Sequence, residues 1–595
     1  VCKAAKFTSG AALAVTAVSM AVCWILYIKK AEKKAPNLDL VLGEELIFLA
    51  FFLLWTYFAG FRPEATGTEK FMDYGFMAAM MRSDTLPARD LWYRAGNINY
   101  YYGGQYYAVF LTKLSFTRIQ ETYHLMRTLV AGFAFALPFS LAFHMIKGIP
   151  GRAKAVPGWI ASLCGLLAGA AVSLAGNMHY VLYGLFGSVF KLSGYEEYWF
   201  PDSTRYIGHN PLNDDQCIHE FPSYSFVLGD LHAHVVNVMY VLLMIGILYA
   251  WMKRLREREG TEQGFRLKRI LLEPPVIAVG ILTGIFQWTN YWDFVIYTVV
   301  VFICIFCVSM YRYGSRLRAA AAALAVQTVE VLLLGAAAAL PFTSTFETMV
   351  SGVALSQNHS ALYQLLILWG LPAALVLVLL LGVLIKYLRA VRGPGRFRNF
   401  FRKVSLSDMF ALILGICGIG LVLIPELVYV RDIYENGYAR SNTMFKLTYQ
   451  AFIMFGIAMA YTVVRLLLWK GRKAARAAGA AGLALLLLTC GYFGYAVECW
   501  FGNVLDPSGY RGLDATAYLE TVYPEDAAAI RWLNDNVDGS PVILEANGDS
   551  YSEYCRVSAM TGLPTVLGWY VHEWLWRGDT ADLNEKSAEI QAVYT

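Results

Sequence analysis

Glu69 and Asp73 stand one helical turn apart in a stretch, residues 69–81, that is otherwise mostly apolar. Residues four apart on a helix share one face, so the two carboxylates are predicted to point at the same spot. A carboxylate there can take a proton from a reacting hydroxyl or amide, and Asp73 is the first candidate for this base, with Glu69 second. Two structural roles stay open: Thr66 and Glu69 fit a helix capping box, and Asp73 could pair with Lys70.

Asp230, His232 and His234 form a second group, at the start of a long apolar run. Asp230 and His234 are four residues apart and would share a helix face, with His232 between them. One carboxylate and two imidazoles are suitable ligands for a divalent metal such as Mg²⁺ or Mn²⁺. The imidazoles could equally hold a phosphate, or the histidines could be a structural pair. The spacing therefore predicts a metal or anion site whose ligand set is still incomplete.

Aromatic and amide side chains cluster at two further places. The residues are Asn99, Tyr100, Tyr101, Tyr102, Trp288 and Asn290. Tyrosine and tryptophan are common where a membrane meets water, so these residues could be only an interfacial belt. Aromatic faces beside amides and hydroxyls are also the surface that stacks on and hydrogen-bonds to sugar rings. Both interpretations stay open.

Arg440 and Lys446 are cations at the entrance of another apolar run, and Asn442 lies between them. A cation at the edge of a bilayer needs an anion, and a lipid phosphate would serve. We therefore group the three as candidate substrate-binding residues. The alternative for Lys446 is that its ammonium extends to the lipid headgroups.

The composition shows what must position these residues. Of the 595 residues, 57% are hydrophobic and only 16% are charged, and the mean hydropathy is +0.46. These values exclude a soluble protein and a disordered one. The net charge of +5 is modest and sits in short loops, which excludes a nucleic-acid binder. The chain is predicted to be a multi-pass membrane protein.

The apolar residues fall into about twelve runs of the length, about 20 residues, that a helix needs to cross a bilayer. The runs lie near 8–28, 41–61, 124–147, 156–175, 226–252, 270–287, 292–311, 319–341, 362–388, 408–428, 445–468 and 477–497. Lys and Arg gather in every second loop, which places those loops in the cytoplasm. They lie at 29–34, 147–154, 253–269, 312–318, 386–403 and 465–476.

The candidate site residues then fall on the opposite, exoplasmic side. Residues 1–497 are predicted to form the transmembrane domain, with long outer loops at 62–123 and 176–225. Residues 498–595 are predicted to form a small exoplasmic α/β domain. Its elements would be a helix at 526–536 and strands at 541–545 and 562–569. Because the chain starts at Val1 and stops just after a helix-like stretch, we expect it to be a fragment, with its last domain cut short. The predicted fold is mainly α.

Several motifs, in one order, resemble the YYY family of polytopic membrane proteins, which is named for a tyrosine triplet and found in archaea and in bacteria such as chloroflexi. They are EKFMD (69–73), INYYYGG (98–104), EFPSYSFVLGDLHAH (220–234), RSNTMFKLTYQA (440–451) and GLPTVLGWYVHEWLWRG (562–578). The resemblance covers most of the chain. It departs at Gly104 and Ser441, where the family usually has an aromatic residue and Met.

The layout of that family is similar to GT-C glycosyltransferases, which take a sugar from a polyprenyl-phosphate carrier at the outer membrane face. The resemblance implies the same for this chain, with a polyprenyl-phosphate-linked donor and membrane lipids as partners. A transporter or flippase for lipid-linked solutes is an alternative. It is disfavoured because the polar clusters sit at one surface, there is no internal repeat, and Glu330 is the main acid deep in a run. A metal-dependent membrane hydrolase is the other alternative.

Overall fold

A computed structural model describes residues 5–30, 37–149, 156–190, 192, 194–195, 197–257, 264–314, 316–348, 352–391, 396–432, 435–469, 471–578 and 580–594. Each predicted basic loop includes residues outside these ranges.

The α-helices of the first half follow in chain order. They are α1 (Ser9–Lys30), α2 (Leu38–Ala59), α3 (Lys70–Arg82), α4 (Gly103–Ser115), α5 (Ile119–Lys147), α6 (Gly158–Ser173), α7 (Gly187–Phe190), α8 (Pro222–Leu228), α9 (Ala233–Glu257), α10 (Leu267–Ile270), α11 (Pro274–Thr289) and α12 (Tyr291–Tyr313). A π-helical turn at Tyr180–Leu185 and a 3₁₀ turn at Phe200–Thr204 lie in the second outer loop.

The second half continues in the same way, with two short strands. The helices are α13 (Leu317–Thr343), α14 (Leu362–Ala390), α15 (Arg396–Lys403), α16 (Leu406–Leu423), α17 (Glu435–Tyr438), α18 (Ser441–Leu467), α19 (Lys473–Phe501), α20 (Leu519–Val522), α21 (Pro524–Asn536), α22 (Arg556–Thr561), α23 (Tyr570–Arg577) and α24 (Ala581–Tyr594). Further 3₁₀ turns are Ile424–Glu426 and Pro507–Gly509. Strands β1 (Gly352–Leu355) and β2 (Val428–Arg431) pair antiparallel, with Gly352 opposite Arg431.

The predicted polytopic helical bundle is confirmed. Within the described residues, nine helices are long and apolar enough to cross a membrane: α1, α5, α9, α12, α13, α14, α16, α18 and α19. The other predicted spans are helices as well. Helices α6 and α11 are apolar but have only 16 residues each, and α2 carries Asp39, Glu44 and Glu45.

Small residues set the helix spacing at the centre of the bundle, where α5 packs against α2, α6 and α9. Gly165 and Gly169 on α6 lie against phenylalanine rings of α5, and a Cβ at Gly169 would stand 2.7 Å from the ring of Phe135. Small residues are the usual means by which membrane helices come close, because lipid offers no hydrophobic gain for their association.

The segment after α19 covers the first outer loop. Helix α22 packs on α3, and Gly562, which has a φ of +71°, lies so close to the backbone of Ala78 that a side chain could not fit. The predicted strands at 541–545 and 562–569 meet only at isolated bridges such as Ile543 with Thr565. Backbone groups of 562–569 bond to the first outer loop instead, for example from the amide of Gly568 to the carbonyl of Trp92 at 2.8 Å.

A buried ion-pair network joins the second outer loop to the helices. The guanidinium of Arg440, which is 1% exposed, lies with Nε 3.1 Å from Oδ1 of Asp215 and Nη1 2.9 Å from Oε2 of Glu426. Asp215 belongs to the outer loop, Glu426 ends the α16 region and Arg440 precedes α18. Removing one partner of such a network leaves the remaining buried charges less well compensated.

Replacing Asp215 by Asn should lower the stability of the fold by about 2 kcal/mol, because it removes hydrogen bonds to the Arg440 guanidinium, which keeps Glu426 as its remaining counter-charge. The measurement is the apparent thermal unfolding midpoint in detergent. Asp214→Asn is the control, because Asp214 is exposed. Equal midpoints for the two variants would contradict a structural role for the network.

Candidate functional site

Helix α3 carries both predicted acidic residues and is buried along most of its length. Glu69 is the residue before its first turn and makes no capping hydrogen bond with its side chain. Its carboxylate accepts a hydrogen bond from the hydroxyl of Tyr551 at 2.8 Å and lies 3.5 Å from Nε2 of His572. Asp73, which is fully buried, faces the mouth of α9.

Asp73, Asp230 and His232 converge. Each offers one ligand atom, and these atoms lie within 4.8 Å of one another. The side-chain amide of Gln105 holds the arrangement together, because it donates to Oδ1 of Asp73 at 2.6 Å and to the carbonyl of Leu231 at 3.2 Å. The backbone N–H of His232 donates to Oδ1 of Asp230 at 3.0 Å. The first outer loop and the segment before α9 thus meet in one buried cluster.

Burial and like charges control the protonation of this cluster. Burial raises the pKa of Asp230 to about 7, and the charges of Glu220 and Glu69 add to the effect. Burial also holds the pKa of Asp73 well above its usual range, with the Asp230 charge next in importance. Burial and the charge of Lys446 lower the pKa of His232 to about 4, so that its imidazole is neutral at pH 7.

The pKa of Glu69 shifts in the opposite direction to that of Asp73. Burial acts to raise its pKa, but the hydrogen bond from His572 and the nearby imidazoles outweigh burial and lower the pKa to about 2. The two acids therefore differ: Glu69 is fixed as an anion, whereas Asp73 retains its proton more readily. Such a separation of pKa values is typical of paired carboxylates with different chemical roles.

Sequence reasoning missed the contribution of the last segment to the site. His572 packs edge-on against Trp92 and Tyr551, and its Nδ1 is 2.6 Å from Oγ of Ser550. Trp576 packs against Tyr100, with ring centroids 5.4 Å apart. The signal was present in the motif HEWLWRG, whose histidine and tryptophans had no other assigned role.

The group that could hold a metal differs from the one predicted. Asp230 and His232 belong to it, but Asp73 takes the place of His234. His234 lies on α9 and faces α18, where its Nδ1 is 3.5 Å from the ammonium of Lys446. The difference arises because Asp230 and His232 precede the helix, so the four-residue spacing does not put Asp230 and His234 on one helical face.

The tyrosine triplet divides between three environments. The hydroxyl of Tyr100 is 2.6 Å from Nε2 of His232, inside the cluster. Tyr101 lines an apolar cavity, and Tyr102 is buried against Trp288 and Phe342. Tyr100 is thus the member of the triplet whose hydroxyl contacts His232 of the cluster.

Two of the remaining candidates, Asn99 and Trp288, have polar partners of their own. The amide of Asn99 donates to the carbonyls of Glu347 and Trp576 at 3.1 Å and 2.8 Å. The indole of Trp288 donates to the carbonyl of Ala338 at 3.1 Å.

Arg440 lies in the ion-pair network described above and is not part of the cluster. Asn442 donates to Asp432 at 2.6 Å, and Asn290 is buried at the junction of α11 and α12. Among Arg440, Asn442 and Lys446, Lys446 is thus the residue that lies next to a histidine, His234.

A large apolar cavity of about 780 Å³ is bounded by α12, α16, α18 and the small sheet. Its lining includes Tyr101, Trp292, Leu421, Thr443 and Leu447. Two of these residues are chain neighbours of residues near the cluster: Tyr101 follows Tyr100, whose hydroxyl contacts His232, and Leu447 follows Lys446.

Comparison with protein families decides the membership of the chain. The model of a family described as uncharacterised membrane protein (DUF2298) matches residues 1–403 and 396–455. The chain belongs to this family. The prediction that the chain belongs to a family of membrane proteins is confirmed. Its membership of the tyrosine-triplet family stays a prediction.

Two other comparisons add little to the DUF2298 assignment. No curated protein matches the chain. Among solved structures, an archaeal oligosaccharyltransferase, AglB from Archaeoglobus fulgidus in complex with an inhibitory peptide and a dolichol-phosphate, is similar at a TM-score of 0.38 and 9% identity. The match covers 91% of this chain and 68% of that one. A likeness at this level assigns neither fold nor function.

The raised pKa of Asp230 predicts how its replacement affects the stability of the DUF2298 protein. A carboxyl group whose pKa is higher in the folded protein than in the unfolded one makes the fold less stable as the pH rises. For Asp230 this loss occurs between about pH 4, the pKa of an aspartate in an unfolded chain, and about pH 7, its pKa in the folded protein. In protein treated with a chelator, Asp230→Asn should raise the apparent unfolding midpoint by several degrees at pH 8 and by less at pH 5. A gain that is equal at both pH values would show that Asp230 is not held protonated by burial.

Proposed function

We propose that this DUF2298 protein is an integral membrane glycosyltransferase of the GT-C kind, which transfers a sugar from a polyprenyl-phosphate-linked donor to an acceptor at the outer membrane face. The observation that supports this proposal is one juxtaposition. His232 of the buried cluster packs against His234, which lies 3.5 Å from the ammonium of Lys446, and Lys446 stands on α18 between two residues that line a large apolar cavity. This combination suits a substrate that has a reactive polar head and a long apolar tail.

The donor would occupy both parts of the site. Its polyprenyl chain fits the apolar cavity, whose lining includes Thr443 and Leu447. Lys446 lies between these two residues on α18, and its ammonium would hold the phosphate. The sugar would then lie toward Tyr100, whose ring and hydroxyl border His232 and Trp576.

In the transfer step, the acceptor oxygen attacks the anomeric carbon of the donor. The bond from this carbon to the phosphate oxygen breaks, and its electron pair leaves with the lipid phosphate. The carboxylate of Asp73 accepts the proton of the acceptor, and its raised pKa makes it a stronger base than an ordinary aspartate. Glu69, held as an anion by His572 and Tyr551, would stabilise the positive charge that develops on the sugar.

The residues also fit a divalent metal. Asp73, Asp230 and His232 would hold it, and Mg²⁺ or Mn²⁺ suits a set of two carboxylates and one imidazole. When bound, such an ion supplies positive charge for a phosphate. The buried Oδ2 of Asp73 and Nδ1 of His232 make no hydrogen bond with any described residue, which is consistent with a missing ligand.

The transfer assay tests Asp73 directly. In liposomes that contain a polyprenyl-phosphate-linked sugar, Asp73→Asn should reduce the transfer rate at least 100-fold, because general-base catalysis contributes a factor of about 10² to 10⁴. The wild-type rate should rise as the pH increases, since the base must be deprotonated. Asp84→Asn is the control, because Asp84 is exposed and pairs only with Lys6 in the described part of the chain. Undiminished transfer by Asp73→Asn would exclude this base.

Metal binding is tested separately, with Mn²⁺ as the probe and electron paramagnetic resonance as the readout. His232→Ala and Asp230→Asn should weaken Mn²⁺ binding at least tenfold, because each removes one of three ligands. His234→Ala should weaken it less than His232→Ala, because the His234 ring packs 5.1 Å from that of His232 but its Nδ1 lies 3.5 Å from the ammonium of Lys446. If His234→Ala weakens binding as much as His232→Ala, the ligand set is the wrong one.

A further inference from the structure

A second cavity, of about 540 Å³, lies at the beginning of α3 and has a different character from the apolar one. Its lining contains three cations, Arg62, Lys70 and Arg511, and one acid, Glu64. Trp500, near the end of α19, forms part of the wall. The excess of positive charge makes this cavity suitable for an anion.

Lys70 is the unusual member of this set. It is only 5% exposed, and its ammonium makes no hydrogen bond or ion pair with any residue in the described ranges. Nζ of Lys70 lies 5.2 Å from the centroid of the Trp500 ring. A lysine side chain as buried as this one, with no paired carboxylate, is costly, and proteins normally avoid it.

The neighbouring charges do not relieve this cost. Glu64 is engaged in an ion pair with Arg511. Arg62 stacks on Trp500, with Cζ 3.7 Å from the ring centroid. The Trp500 ring therefore has a second positive charge beside it, in addition to that of Lys70. Burial and the charges of Arg127 and Arg62 lower the pKa of Lys70 to about 7, with Asp230 and Glu64 opposing them only in part.

The backbone adds to the positive field of the cavity. Residues 66–68 line it and lead directly into α3, a helix of 13 residues. Gly67 and Thr68 both have a positive φ, of 74° and 51°, so the chain turns sharply before the helix starts. The beginning of a helix carries a partial positive charge, which attracts phosphate groups.

We propose that this basic cavity is a binding site for a phosphate group, with Lys70 and Arg62 as its main counter-charges. The phosphate could belong to an anionic lipid headgroup or to a soluble phosphate, and both share the chemistry that the cavity recognises. The site is separate from the cluster around Asp73, and its occupancy does not depend on the transfer reaction.

The experiment uses the full chain, purified in detergent and freed of lipid. One arm titrates inorganic phosphate against chloride at equal ionic strength and follows the apparent unfolding midpoint. The other arm adds phosphatidylglycerol or phosphatidylcholine and measures retained lipid by native mass spectrometry. We expect phosphate to raise the midpoint by several degrees, or phosphatidylglycerol to be retained in preference to phosphatidylcholine. The first result identifies a soluble phosphate as the ligand, and the second identifies a lipid headgroup.

Two variants locate the site. Lys70→Gln should weaken the response at least tenfold, and without ligand it should unfold at the same or a higher temperature than the wild type, because it removes an unpaired buried charge. Arg62→Gln should weaken the response too, and it decides the matter if Lys70→Gln does not fold. Arg531→Gln, which changes an exposed arginine paired with Glu520, should respond like the wild type.

The proposal is overturned if neither phosphate nor phosphatidylglycerol gives a response in the wild type. It is also overturned if the folded Lys70→Gln and Arg62→Gln variants respond as strongly as the wild type. Loss of transfer activity alone would leave this result unaffected, because binding is measured without donor or acceptor.

Discussion

The free-energy cost of taking ionisable groups out of water is the constraint on which the rest of this structure depends. Asp73, Asp230 and His232 are each less than a tenth exposed, yet their ligand atoms lie within 4.8 Å of one another. Groups of this kind would separate or take up water unless the surrounding packing held them together. The covering segment after α19, the amide of Gln105 and the mouth of α9 provide that packing.

The five residues 69–73, at the start of α3, contain side chains in three electrostatic environments. Glu69 faces His572 in the last segment, Lys70 faces Trp500, and Asp73 faces the start of α9. The other side of α3 is closed by α22, which approaches the α3 backbone at Gly562. A shift of α3 would therefore alter all three environments together, which makes the contact between the first outer loop and the last segment central to the candidate site.

The apolar cavity and the basic cavity differ in a way that suits different ligands. The larger one is apolar and lies beside Tyr101, whereas the smaller one is basic and contains Lys70. An apolar cavity of that size can take a lipid chain, and a basic one can take a phosphate. The carboxylate cluster lies close to both, since Tyr100 contacts His232 and Lys70 follows Glu69 in the chain.

Much of the architecture could be predicted from the sequence. Each apolar run is a helix, because crossing a bilayer requires about 20 apolar residues and internally satisfied backbone hydrogen bonds. The helical period predicts one shared face for Glu69 and Asp73, but Glu69 precedes the first residue of α3 and contacts His572, whereas Asp73 contacts Gln105. The local structure near 562–569 was less predictable, because its backbone groups bond to the first outer loop, hundreds of residues away in the chain.

By itself, the sequence determined the helical membrane class and the local group of Asp230 with His232, because hydropathy and short spacing act over one element at a time. Only the tertiary structure decided that Asp73 joins this group, that His234 turns to Lys446 instead, and that Arg440 is engaged with Asp215 and Glu426. These choices depend on which elements pack together and on how each helix is rotated. No local pattern carries that information.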